Sequence, residues 1–182
     1  MLKCEKEIKE KYATPGKKVV VYRGAKPPID VLFVGEAPGW QEDTVGKPFV
    51  GPSGKLLDKW IATMPKKVKV GITNTVMVMP TTSDGSIRKP TPKEMEDFRP
   101  AFRQVFLETK PSTIVVVGST AAEALLSMRI GQCVGKAYPR LYGVTMGVMY
   151  HPAYYLRQGK DGVADFKRLY QVIVSLSQKP SE

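Results

Sequence analysis

The chain has 182 residues, 42% of them hydrophobic, and carries 28 Lys and Arg against 17 Asp and Glu, a net charge of +11. That length suits one domain spanning residues 1–182, and the hydrophobic content excludes a disordered chain. No apolar run nears the roughly 20 residues of a membrane span, and the charged start MLKCEKEIKEKY lacks the apolar core of a secretion signal, so a cytoplasmic protein without membrane contact is expected.

Taken in order, KKVVVYRG (17–24) reads as a short strand, and IDVLFVG (29–35) as a buried parallel strand that stops at Gly35. PSGKLLDKWIATM (52–64) reads as a helix with Ser53 as N-cap and Leu56, Leu57, Trp60 and Ile61 facing inward. A strand over 68–78 follows, then a polar loop full of chain breakers over 79–92. The segment 91–109 is helical: Thr91 caps it, Pro92 fits its first turn, and Glu94 completes a capping box. Pro100 inside that run predicts a kink or break. The segment 112–128 reads as strand, turn and helix, 141–159 as a strand entering another loop, and 162–178 as the closing helix. Strands alternating with helices argue for an α/β layered fold with a mainly parallel sheet. Ligands bind such sheets at the carboxyl ends of the strands, where three unusual loops fall: 35–54, 74–92 and 151–159.

The surplus of positive charge favours an anionic partner, most often a nucleic-acid backbone. The two cysteines, Cys4 and Cys133, form no CxxC, so no zinc or iron–sulfur ligand set is visible, and reduced thiols are expected.

VGEAPGWQEDTVGKPFVGPSGKLLDKW (34–60) closely resembles the first motif of the family-four uracil-DNA glycosylases. GITNTV resembles their asparagine strand and HPAYYLR their histidine motif, in the same order and at the same spacing. The resemblance implies a three-layer α/β/α sandwich around a central four-stranded parallel sheet. It also implies an enzyme of DNA repair that cleaves the N-glycosidic bond of uracil and leaves an abasic site.

The residues make physical sense of that activity. A base must be flipped out of a duplex before it can be reached. Phe49, among glycines and prolines, is placed to stack on the flipped ring. Asn74 offers the donor and acceptor that match uracil N3–H and O4 and mismatch cytosine. His151, the single histidine, is placed to donate to uracil O2 as charge builds on the leaving base. Glu36 and Glu42 are candidates to stabilise an oxocarbenium-like sugar and position water. By resemblance, Glu42 stands at the pocket wall, and Ala37 occupies the base-binding place where relatives outside family four carry an Asp. Asp43 reads as structural, accepting backbone hydrogen bonds.

Gly51, Ser53 and Gly54, at a helix start, offer backbone N–H groups to a phosphate. Leu156 is the candidate wedge for the vacated base position and Tyr155 the second choice, with Arg157 and Lys160 on phosphates.

Family four also implies a four-iron–four-sulfur cluster on four cysteines. Here VMPTT (78–82) and FRPAF (98–102) stand at the third and fourth places, so no cluster, and no metal, is expected. The expected partner is uracil-containing DNA, single- or double-stranded, bound by a monomer. A cluster-free branch borne by a virus would work in the host cytoplasm or nucleus. Two other readings fit the same residues: a non-catalytic DNA or uracil binder, and a glycosylase for another deaminated base.

Overall fold

The computed structural model describes residues 1–177. In chain order the elements are α1 (Glu5–Lys11), β1 (Arg23–Gly24), β2 (Val31–Gly35), α2 (Trp40–Val45), α3 (Pro52–Ala62), β3 (Val70–Asn74) and α4 (Pro92–Thr109). They continue with β4 (Thr113–Val117), α5 (Ser119–Leu126), α6 (Ile130–Cys133), β5 (Ala137–Leu141), β6 (Val144–Met149), α7 (Pro152–Arg157) and α8 (Val163–Ser177). One sheet of order β1-β3-β2-β4-β6-β5 runs through the centre.

The four inner strands are parallel, as their continuous apolar runs require, because both faces are covered. Val31, Phe33, Val115 and Val117 point to the side of Leu57, Trp60, Phe166 and Leu169, from α3 and α8. Leu32, Val34, Ile114 and Val116 point the other way, to Ala121 and Ala122 of α5 and Phe102 and Phe106 of α4. This is the expected α/β/α sandwich, with its four-stranded parallel centre widened by antiparallel edges at β1 and β5.

Several local expectations need correction. Of 17–24, only Arg23–Gly24 joins the ladder. The strand over 68–78 ends at Asn74 because Thr75 N–H and Val76 N–H turn back to the carbonyls of Gly35 and Glu36. The helix α4 passes through Pro100 without a break: Thr91 and Glu94 form a complete capping box, and Phe98, Ala101 and Val105 anchor its inner face. Pro100 cannot donate to the Glu96 carbonyl, but both residues are exposed, so that carbonyl is not sealed from solvent. The N-cap of α3 is Gly51, not Ser53, since Pro52 takes the first helical position. The first loop contains a helix, α2, and the histidine motif folds as α7 rather than as open loop. The closing helix is described to Ser177; residue 178 lies outside the described residues.

Candidate active site

Gly35, Asn74 and Met149 are the last residues of β2, β3 and β6, and the three unusual loops leave the sheet from this edge. A cavity of about 200 Å³ lies between them, lined by Glu36, Ala37, Glu42, Phe49, Asn74 and His151, with Ser53 at the start of α3. The topology therefore brings together every residue proposed from the sequence for chemistry or base recognition.

Phe49 reaches the cavity on a strained turn with φ of +55°, a region that aromatic residues rarely adopt. Arg23 holds it from the strand side, donating from Nε to the carbonyl of Pro48 and from Nη2 to that of Phe49, each at 3.0 Å. Gly35 is required beneath the ring: a Cβ there would lie 2.4 Å from Phe49 Cζ and 2.6 Å from Asn74 Oδ1. One glycine thus lets the aromatic and the amide share a wall. The Phe49 ring leans on the His151 ring, with centroids 5.7 Å apart at 32°.

Asn74 is 1% exposed, and its Oδ1 is the one buried side-chain polar atom without a hydrogen-bond partner among the described residues. An orphan acceptor of this kind costs roughly 1–3 kcal/mol. The atom borders the cavity, where a ligand N–H would satisfy it.

His151 is the N-cap of α7, and its Nδ1 accepts the N–H of Ala153 at 3.2 Å. That bond fixes the neutral tautomer, with the proton on Nε2. Burial pushes the imidazole pKa down to about 4, the positive charge of Arg157 adds to this, and Glu42 opposes it. His151 is therefore an uncharged donor at neutral pH.

The two glutamates differ in freedom. Glu42 Oε1 accepts Val50 N–H and Gly51 N–H, both at 2.9 Å, and its Oε2 accepts Gly39 N–H at 3.2 Å. Its carboxylate knits the loop between α2 and α3. Glu36 takes one hydroxyl, from Thr120 Oγ1 to Oε2, and its other oxygen has no partner among the described residues. Asp43 accepts the N–H of Lys18, in keeping with a structural role.

Of the proposed DNA contacts, Leu156 is 43% exposed, and Arg157 and Lys160 are exposed beside it. Tyr155 is not available as a wedge. It is 4% exposed, packs edge-on to Trp60, and donates its hydroxyl to Asp165. Gly51 does not offer a free N–H, because Glu42 takes it. Ser53 stays half-buried at the cavity wall, and Gly54 is buried against the Phe49 backbone.

Sequence reasoning missed Arg23, Thr120, Pro80, Ile87 and Arg88, the last three of which line the cavity from the loop after β3. The signal for Ile87 was there: a lone apolar residue in a polar loop, 44% exposed. For Arg23 there was none, since its partners lie some two dozen residues away.

The residues present do not fit an iron–sulfur cluster. Segments 78–82 and 98–102 do face a common cavity, of about 310 Å³, but its lining brings Tyr12, Lys17, Thr81, Arg88, Glu94 and Phe98, and no thiol. Tyr12 stacks on Phe98 at 4.5 Å, and Lys17 Nζ donates to Met79 O and Thr81 Oγ1 at 2.8 and 2.6 Å. Arg88 forks onto both oxygens of Glu94 at 2.6 and 2.8 Å. Cys133 is buried beside Val116 and does not line this cavity, and Cys4 packs near Leu2 and Ile8. Burial raises both thiols, Cys4 to about 12, which opposes the thiolate form a cluster needs. Among the described residues no three His, Cys, Asp or Glu side chains group as metal ligands.

A mainly parallel sheet with an aromatic, an orphan amide and a neutral imidazole around one small cavity at its carboxyl edge marks an α/β protein with a candidate ligand site there. The profile of the Uracil DNA glycosylase superfamily matches residues 21–174. The chain is 33% identical over 166 residues to the type-4 uracil-DNA glycosylase of Pyrobaculum aerophilum, covering 86% of this chain and 79% of that one. It is 33% identical over 153 residues to that of Archaeoglobus fulgidus, covering 77% and 75%, and 34% identical over 135 residues to that of Saccharolobus solfataricus, covering 68% and 61%. The chain belongs to the uracil DNA glycosylase superfamily.

Proposed function

We propose that this protein excises uracil from DNA by hydrolysing the N-glycosidic bond, working as one monomeric domain on single- and double-stranded substrate without an iron–sulfur cluster. The observation that carries the reading is the orphan Oδ1 of Asn74 beside the cavity. Uracil N3–H satisfies that acceptor, while the Asn74 amide donates to O4. Cytosine presents an acceptor at N3 and leaves the orphan unpaired, a mismatch sites of this kind reject strongly.

In this reading the flipped base stacks on Phe49. As the C1′–N1 bond breaks, its electron pair passes to the base, and charge gathers on O2. The neutral His151 meets that charge with its Nε2–H. Glu36, whose second carboxylate oxygen is unengaged, faces the oxocarbenium-like sugar and positions water, which adds to C1′ and gives up a proton that ends on the departing uracil anion. Glu42 serves by holding the loop that carries Phe49. Leu156 fills the vacated stack, with Arg157, Lys160 and the start of α3 around Ser53 and Gly54 on flanking phosphates. No helix among the described residues is long and apolar enough to cross a membrane.

The test is a labelled oligonucleotide with one uracil, incubated with the protein and then treated with hot alkali. Cutting at uracil and not at a matched thymine supports the reading. DNA binding by folded protein without a cut would replace it with a non-catalytic reader.

A further inference from the structure

Away from the base cavity, a cleft of about 970 Å³ runs along the β1 edge of the sheet, between α1, the extended segment before and after β1, and the loop that follows α2. Six cations line it: Lys9, Lys17, Lys18, Arg23, Lys26 and Lys47. Among the described residues the one carboxylate in the lining, Glu5, is buried and paired with Lys9 at 2.7 Å. Asp58, outside the lining, pairs with Arg23 at 2.9 Å, and the ammonium groups of Lys17, Lys18, Lys26 and Lys47 have no carboxylate partner among the described residues, so the cleft remains positive.

The cations fall into two groups. Lys17, Lys18 and Arg23 have structural work: Lys17 holds Met79 and Thr81, Lys18 donates to the Thr44 carbonyl, and Arg23 holds Pro48, Phe49 and Asp58. Lys26 and Lys47 have no hydrogen-bonding or ionic partner among the described residues and are exposed. They add charge to a cleft where the fold does not use it.

The cleft and the base cavity have no lining residue in common, but Arg23 and the segment 47–49 link them. Lys47 is two residues from Phe49, and Arg23 lines the cleft while holding the Phe49 carbonyl. We infer that this cleft binds the phosphate backbone of a single DNA strand leading away from the flipped nucleotide, a site additional to the contacts at Ser53, Arg157 and Lys160. The inference rests on the uracil-excision reading for the direction of the strand, but not for the binding itself. A cleft walled on both sides suits one strand, and positive grooves of this kind track backbones without regard to sequence. Its role is affinity and register, with sequence choice left to the base cavity.

The experiment uses uracil-free single strands and strands with one uracil placed centrally or near either end. Binding is measured over a salt series for the wild type and for K26Q/K47Q, a pair outside the base cavity. Extending the strand on one side of uracil, and not the other, is expected to tighten wild-type binding. The double variant is expected to lose roughly ten-fold on the long strand at low salt, with the slope of log K against log salt reduced by about 1.4, or about 0.7 per phosphate contact. On a strand too short to reach the cleft, variant and wild type should bind and release uracil alike. Equal affinity for long and short strands, or an unchanged slope in the variant, overturns the inference even when uracil is cut normally. Equal displacement by polyglutamate would reassign the cleft to acidic polypeptides and also overturn it. Failure of uracil release with the salt and length effects intact would overturn the excision reading and leave the cleft standing.

Discussion

Arg23 pins Phe49 from behind: its Nη2 donates to the Phe49 carbonyl at 3.0 Å, while the same guanidinium bonds Asp58 at 2.9 Å. The geometry couples the edge strand to the aromatic wall of the base cavity. It also explains how Phe49 persists at φ +55°, a conformation costing of order 1–3 kcal/mol.

Arg23→Ala should therefore relax that turn. We expect a loss of about 1–3 kcal/mol in urea unfolding, from two carbonyl acceptors losing a charged donor. Uracil release should fall more through KM than through kcat, since the ring that receives the base is displaced while His151 is not. Arg23→Lys should recover only part, because an ammonium cannot fork across two carbonyls. Wild-type KM in Arg23→Ala would show that the turn holds itself.

Asn74→Ala removes the orphan acceptor together with the amide donor. Release of uracil should drop by roughly 100-fold or more, as expected when a hydrogen-bonding site loses its partner. Stability should change little, because the lost packing is offset by removal of an unsatisfied buried oxygen. Single-turnover release and thermal melting check both halves. A mild rate effect would mean that the base is read elsewhere.

Much of this site was legible in the sequence because its residues break local rules. Phe49 sits outside any apolar period, Asn74 interrupts an apolar strand, and His151 precedes Pro152 at a strand end. The parallel core was legible for the opposite reason, since β2 and β4 are buried at every residue and, Thr113 and Gly35 apart, carry only aliphatic or aromatic side chains. What escaped depended on contacts distant in sequence. Nothing local shows that Glu42 spends its oxygens on Val50 and Gly51, or that Tyr155 is buried against Trp60. The edges escaped because β1 has two residues and β5 is half exposed, so neither carries a clear pattern.

The imidazole of His151 gives a pH prediction with a definite sign. Its folded pKa of about 4 lies below the ordinary 6.5. The unfolded chain thus takes up the proton first, and the stability this group contributes is whole above 6.5 and lost as pH falls toward 4. His151→Gln should flatten that part of the stability curve. In activity, the Nε2–H donor stays neutral over the same window, so kcat/KM should show no inflection near 6.5 from this residue. An acid limb centred there in the wild type, and absent in His151→Gln, would mean that the imidazole titrates at its ordinary value.

Where the family resemblance places cluster cysteines, Arg88 and Glu94 tie the loop after β3 to the start of α4, and Lys17 and Tyr12 tie the N-terminal segment to both. Arg88 also lines the base cavity, so this clamp sets one of its walls. The Arg88 hydrogen bonds hold the Glu94 carboxyl down at about 2, below its ordinary 4.5. Its contribution to stability is therefore present above 4.5 and fades as pH falls toward 2. Glu94→Gln should melt below the wild type at neutral pH, and the gap should close across that acid window. It should also weaken uracil release through the loosened wall. Neither protein should hold stoichiometric iron or show iron–sulfur colour after anaerobic purification. Iron in near four-fold excess over protein, lost together with activity on chelation, would mean that another chain's thiols or a different ligand set holds a cluster.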